Sequence, residues 1–243
     1  MARAGLKTVF QENAVCPYFH DGRVSTVEYL VPVPHDIRRF HRFLAAGYRR
    51  IGRVFYRNIC EGCSDCIPLR IETGRFLPGK SQRRTLRRNR DIVVQVRRGA
   101  PVTADHVLLY DSYMKSKHHE GRDETPDNAL KVLFAIHTGY PCTIEMDYYL
   151  DGKLIGVGIV DEGRDALSSN YFYYDTAFLD RRPGIFSILQ EIELARSLGK
   201  KYHYLGFSIE HNPKMAYKIQ FRPNQFFRNG HWREFTTDKP LRE

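Results

Sequence analysis

The chain has 243 residues, 42% hydrophobic and 13% aromatic, and a formal net charge of +10 at pH 7. That length and apolar content support one or two packed cores and exclude a disordered chain. There is no run of about 18 apolar residues, and MARAGLKTVF has no apolar core ahead of a small-residue cleavage site; both point to a cytoplasmic protein without a membrane partner.

The charge is concentrated. Residues 38–98 carry 17 Lys and Arg against Glu61, Asp65, Glu72 and Asp91, a local charge of +13 that leaves the remainder at −3. Such a field attracts a polyanion, and Arg adds a fork suited to phosphate. A plain solvated surface is the alternative.

In chain order, the N-terminal part reads as short strands and turns around cysteines, with one helix. In DIRRFHRFLAAGYRRIG, Ile37, Phe40, Phe43, Leu44 and Tyr48 recur at helical spacing, and Asp36 is placed to cap the start. A Gly- and Pro-punctuated turn with three cysteines follows, then strands over 68–73 and 92–96 on either side of the basic run KSQRRTLRRNRD. Gly99 to Thr103 marks a boundary, giving an N-terminal cysteine-bearing unit over 1–100 and a second over 101–243. The second unit opens with helices in HVLLYDSYMKSKH and LKVLFAIHTG, separated by a polar loop at 123–128. TIEMDYYLDGKLIGVGIVDEG reads as a hairpin turning at Asp151 and Gly152. LSSNYFYYD is a third strand, PGIFSILQEIELARSLGK a helix, YHYLGF a strand and PKMAYKIQF a short helix. This order is that of the second half of the acyl-CoA N-acetyltransferase (GNAT) fold, so an α+β class with a mostly antiparallel sheet is expected. In that fold the turn into the central helix, here TAFLDRRPGIF, presents backbone N–H groups to an anionic donor.

Cys60, Cys63 and Cys66 recur at steps of three, spacing that suits tetrahedral zinc or an iron–sulfur cluster, with Cys16 as the natural fourth ligand. Cys142 reads as a core residue. Lys80, Arg83, Arg84, Arg87, Arg88 and Arg90 would form one stripe on a helix and meet a phosphate backbone. Strand alternation sends Phe172 and Tyr174 to one face and Tyr171 and Tyr173 to the other; one pair packs, and the other packs too, lines a donor pocket or stacks on a terminal base. Asp175 holds an amine or caps the following turn. His118 and His119 read as a metal or acid–base pair or as a solvated helix end. Lys214 and Lys218 share one helical side.

At these residues the chain resembles the arginyl-tRNA–protein transferase family, and more closely its bacterial aspartate/glutamate leucyltransferase branch. The matching pieces are CPYF at Cys16, FYRNICEGCSDCIPLRI from Phe55, FLPGKSQRRTLRRNRDI from Phe76, YFYYD, YLGF from Tyr204 and KMAYKIQFRP from Lys214. The resemblance implies an aminoacyltransferase of N-end-rule degradation, with aminoacyl-tRNA as donor and an exposed acidic N-terminal residue as acceptor. It also implies zinc or an iron–sulfur cluster on Cys16, Cys60, Cys63 and Cys66, and no cofactor for the chemistry. Arg181, Arg182, Pro183 and Gly184 depart from the Arg-Ser-Leu-Gly stretch of bacterial relatives, and Pro183 removes a backbone donor.

Aminolysis of an ester by an α-amine needs positioning more than a strong base. The catalytic expectations are Asp175, Tyr174 and Lys214. Lys80, Arg83, Arg84, Arg87, Arg88, Arg181, Arg182 and Gly184 are expected at the tRNA end, and Lys115 and Lys117 at the acidic acceptor. A monomer donating leucine to Asp or Glu is the leading expectation. An arginyltransferase, a small-molecule N-acetyltransferase and a non-catalytic RNA-binding module are the alternatives.

Overall fold

The computed structural model describes residues 6–32, 37–117, 126–138 and 140–235. Strands β1 (Leu6–Val15), β2 (Val24–Pro32), β3 (Arg49–Ile51) and β4 (Val54–Asn58) form a four-stranded antiparallel sheet in the order β1-β2-β4-β3. Helix α1 (Ile37–Ala45) lies against it, burying Phe40, Phe43 and Leu44 with Leu30, Tyr48 and Phe55 as the helical spacing predicts. Its expected cap, Asp36, lies outside the described residues.

The second sheet has eight strands: β5 (Ile67–Glu72), β6 (Val93–Arg98), β7 (Thr143–Leu150), β8 (Lys153–Glu162), β9 (Ala166–Tyr174), β10 (Tyr202–Ser208), β11 (Asn224–Arg228) and β12 (His231–Glu234). Their order is β12-β11-β5-β10-β9-β8-β7-β6, antiparallel except between β9 and β10. Because β5 and β6 belong here, the boundary expected near residue 100 falls inside the large-sheet unit. The chain passes from one sheet to the other through the cysteine turn.

Both faces of the large sheet are covered. Helices α3 (Ala104–Lys117) and α4 (Pro126–Thr138) pack Leu109, Tyr110, Leu133 and Ile136 on one face, against Val157, Ile159 and Tyr173. On the other lie α2 (Lys80–Arg88) and α5 (Pro183–Ser197), which buries Ile185, Phe186, Ile188, Leu189 and Ile192. Cover on two sides explains why β7 and β8 are buried along nearly their whole length, β8 as an apolar run and β7 with Glu145 and Asp147 among its buried residues. The β7–β8 hairpin turns at Asp151 (φ 49°) and Gly152 (φ 79°), as the Asp-Gly pair predicts. The polar loop expected to reach residue 128 ends earlier, since α4 starts at Pro126. The pair His118 and His119 lies outside the described residues. No described helix is long and apolar enough to cross a membrane.

Candidate active site

β9 and β10 run side by side only from Tyr202–Ala166 to Tyr204–Ser168, and then part. Beyond that point β10 follows β5 past a bulge at Gly206, whose φ is +87°, and β9 follows β8 past a bulge at Asn170. Strands that separate free backbone groups for other partners and open a wedge between them. The sequence order of this region and its splayed parallel pair are the GNAT-like arrangement.

Arg49 enters the wedge from β3. It donates to Ser168 Oγ at 2.8 Å and to the carbonyl oxygen of Ser169, and is 7% exposed. Lys218 enters from the 3-10 turn Tyr217–Gln220 that follows α6 (Pro213–Ala216), donating to the carbonyl oxygen of Phe207 at 3.2 Å. Burial, reinforced by the charge of Arg49, pushes the Lys218 ammonium down to about 7. Behind them Glu191 of α5 is fully engaged: Ser187 Oγ donates to it at 2.8 Å, Ser169 Oγ also donates, and His203 Nε2 stands 2.9 Å away. Neither the composition nor the spacing marked Arg49, Glu191, Ser169 or His203. Lys218 was visible only as half of a pair with Lys214, which is exposed and whose backbone N–H is capped by Asn212.

At the start of α5, Ile185 and Phe186 direct their N–H groups to the carbonyl oxygen of Arg182, and Pro183 has none, so among the described residues the N–H of Gly184 is the one left without a partner there. A Cβ on Gly184 would lie 3.4 Å from the Tyr217 hydroxyl. Tyr174 is half-buried at the end of β9, its ring 5.1 Å from Tyr113 and 5.2 Å from Phe172. Tyr171 and Tyr173 pack on Tyr110 of α3 and Phe172 on Tyr148, as alternation predicts, while Tyr174 at the strand end also reaches Tyr113 of α3. Asp175 takes the capping role: it accepts from Ala177 N–H at 3.0 Å and from Lys153 at 2.7 Å.

The basic run forms α2 with its charges outward. Lys80, Arg83, Arg84, Arg87, Arg88 and Arg90 are exposed, while Gln82, Thr85 and Asn89 are buried. The helix therefore docks through these polar groups together with Leu86, which packs against the clusters on the α5 side. Arg181 grips Asp91 with two bonds of 2.8 and 2.9 Å, and Arg182 donates to Ser81 Oγ at 2.6 Å. Both expected tRNA-end arginines thus bind α2 and its flank to the β9–α5 turn. Lys115 is exposed and paired with Asp111 at 2.7 Å. Lys117 ends α3, and its side chain lies outside the described residues.

The thiols of Cys16, Cys60, Cys63 and Cys66 are free neighbours of one another, and burial, reinforced by the other three, pushes Cys66 up to about 12. Thr26 N–H donates to Cys60 Sγ at 3.3 Å and Arg23 to Cys63 Sγ at 3.8 Å. Donors aimed at sulfur, on a groove of about 990 Å³ lined by Cys63, Cys66, Phe19 and Phe227, fit a thiolate-bound metal group. Among the described residues, the ligand atoms that lie within 4.8 Å of one another in a group of three belong to His106, Glu145 and Asp147, not to the cysteines. Cys142 is a buried core residue.

A GNAT-like wedge beside an exposed basic helix fits a transferase, and the sequence comparisons define that class. The sequence matches the family model for the N terminus of arginine-tRNA-protein transferase over residues 14–84 and that for its C terminus over 105–228. The chain is 34% identical, over 92% of its length and 93% of the relative's, to an aspartate/glutamate leucyltransferase of Marinobacter nauticus. A second, from Chromohalobacter salexigens, is 34% identical over 90% of this chain and 88% of that one. A conserved protein of unknown function from Bacteroides thetaiotaomicron shares the fold, with a TM-score of 0.50 and 12% identity over 88% of this chain and 82% of that one. This chain belongs to the arginine-tRNA-protein transferase family.

Proposed function

We propose that the protein transfers leucine from charged tRNA to the α-amine of proteins beginning with Asp or Glu, which marks them for degradation. The match of 34% identity over 92% of the chain to a relative named for that activity carries this conclusion. In the reaction the neutral amine attacks the ester carbonyl carbon, the carbonyl carbon to ribose oxygen bond breaks, and the amine's proton ends on the ribose oxygen. An α-amine with a pKa near 8 is about a tenth neutral at pH 7, so positioning supplies most of the acceleration.

Lys80, Arg83, Arg84, Arg87 and Arg88 hold tRNA phosphates, and Arg181 and Arg182 set the turn on which the acceptor end rests. Gly184 N–H offers a hydrogen bond to the developing oxyanion, and Tyr174 gives the terminal base a stacking face. Cys16, Cys60, Cys63 and Cys66 would hold zinc or an iron–sulfur cluster, which when bound braces the turn between the sheets. The protein acts as a cytoplasmic monomer, and its five free thiols suit that compartment.

The test offers purified protein leucyl-tRNA and arginyl-tRNA with labelled amino acids, against peptides beginning with Asp, Glu, Asn, Arg and Lys. Labelled leucine on the Asp and Glu peptides is expected. No transfer, or a preference for arginyl-tRNA, overturns the proposal.

A further inference from the structure

Arg49 and Lys218 converge on the space left by a missing side chain. The Cβ position of Gly206 lies 3.4 Å from Arg49 Nη2 and 3.4 Å from Lys218 Nζ, so both cations border one small volume. A residue larger than Gly is also strained there, because φ is +87°. Among the described residues no carboxylate is within ion-pair distance of either cation. Their hydrogen-bond partners are uncharged: Ser168 Oγ and the carbonyl of Ser169 for Arg49, and the carbonyl of Phe207 and Met215 Sδ for Lys218. The acids whose charge reaches these cations are committed elsewhere: Asp161 to Arg50, Thr143 and Asn170, and Glu191 to Ser169, Ser187 and His203. A second charge beside Arg49 out of water without a counter-ion is costly, which is what pushes Lys218 down to about 7, and a ligand's negative charge would hold its proton in place. A planar carboxylate is the anion that accepts from a guanidinium and an ammonium at once across so small a volume.

We infer that Arg49 and Lys218, across Gly206, bind the side-chain carboxylate of the acceptor's N-terminal Asp or Glu. The inference rests on acidic N-termini being the acceptors, as proposed above. It places specificity on β3 and on the turn after α6, not on Lys115 or Lys117. The acceptor amine would then lie along the parted edge of β9.

Lys218→Met keeps length and apolar volume while removing the charge. Peptides alike except for N-terminal Asp or Asn are compared as acceptors. The Asp-over-Asn preference in kcat/KM should fall about 10- to 100-fold, carried by KM, and Lys218→Arg should restore most of it. A folded Lys218→Met protein with an unchanged preference overturns the inference. A second measurement needs neither the donor nor a foldable Met variant. In wild-type protein carrying 13C-dimethylated lysines, the Lys218 signal, assigned with Lys218→Arg, should shift on addition of the Asp peptide and stay still with the Asn peptide. If both peptides leave it unmoved the site is wrong. If wild type transfers to neither peptide, the proposed function fails while the titration still decides the site.

Discussion

Asn89 donates from Nδ2 to the carbonyl oxygen of Arg181 at 2.9 Å, across 92 positions of sequence, and to that of Thr85 at 2.8 Å. One 2%-exposed side chain thus closes the end of the basic helix and fastens it to the turn that starts α5. Arg88, which donates to the carbonyl of Asp180, and the Arg181–Asp91 pair lie beside it, at the rim. Rim pairs are worth little, so the buried amide is the stronger link.

Asn89→Ala should therefore cost about 1–3 kcal/mol, from two lost hydrogen bonds and a carbonyl left in a dry site. A urea titration reads that loss directly. The same variant should raise KM for charged tRNA more than it lowers kcat, because the phosphate-facing stripe loses its fixed relation to the wedge. Unchanged stability would mean that Asn89 is not the clamp.

Arg84 and Arg87 face solvent, and among the described residues neither has a carboxylate partner. Removing both as Arg84→Ala with Arg87→Ala should leave folding stability within about 0.5 kcal/mol. Affinity for tRNA should fall, and the slope of log affinity against log salt should become shallower by about 2, one unit per lost phosphate contact. Filter binding of tRNA across a salt series measures this. An unaltered slope would place the tRNA elsewhere.

Local pattern exposed much of this fold, and the reasons are physical. The Asp151–Gly152 turn, the α1 stripe and the Pro183 start of α5 each depend on neighbours a few residues apart. The turn at Asn229 and Gly230, with φ of 51° and 78°, carried the same kind of signal and joins β11 to β12, a hairpin the sequence reading passed over. What stayed hidden depends on distant pairing. β5 sits between β10 and β11, so the unit boundary cannot be read from composition near residue 100. Arg49 looked like one more member of a basic region, because only the parting of β9 and β10 gives it a wedge to enter. Asp175 and Arg181 were visible as charges in an interesting turn, but their partners, Lys153 and Asp91, decide that they hold it together.

The four clustered cysteines should act as one ligand set. Protein purified without chelator is expected to carry bound metal, and Cys63→Ser should lose metal and thermal stability together, whereas Cys142→Ser should keep its metal. Elemental analysis with visible absorption measures both and separates an iron–sulfur cluster, which is coloured, from zinc. Full metal content in Cys63→Ser would remove that residue from the set.

Acid and base should weaken the fold through one buried network under α3 and α4. Glu145 accepts from Arg97 at 2.5 Å and has His106 Nε2 at 3.3 Å and His137 Nδ1 at 2.5 Å; Asp147 lies beside them, also bound by Arg97. The guanidinium occupies the centre of this set, where a metal would otherwise sit. Burial opposes the charge of both partners, but the hydrogen bonds and charges win: His106 is pushed up from 6.5 to about 9, and Glu145 is held down from 4.5 to about 2. For His106 the folded state binds the proton more tightly, so its contribution is complete below about pH 6.5 and is lost as pH rises through 9. For Glu145 the sign reverses: the contribution is complete above about pH 4.5 and is lost as pH falls toward 2. The network's own contribution should therefore peak between about pH 4.5 and 6.5 and fall by about 1–3 kcal/mol from pH 6.5 to 9.5. Lys218, held down to about 7, contributes in the opposite sense above pH 7, so the slope is read as the difference between wild type and a network variant. Glu145→Gln should cost about 3–5 kcal/mol near pH 6, since it leaves buried cations under-compensated, and should flatten the alkaline slope by lowering the His106 pKa. Urea midpoints from pH 4 to 9.5 for wild type and the variant decide it: parallel curves would show that the network does not couple protonation to folding.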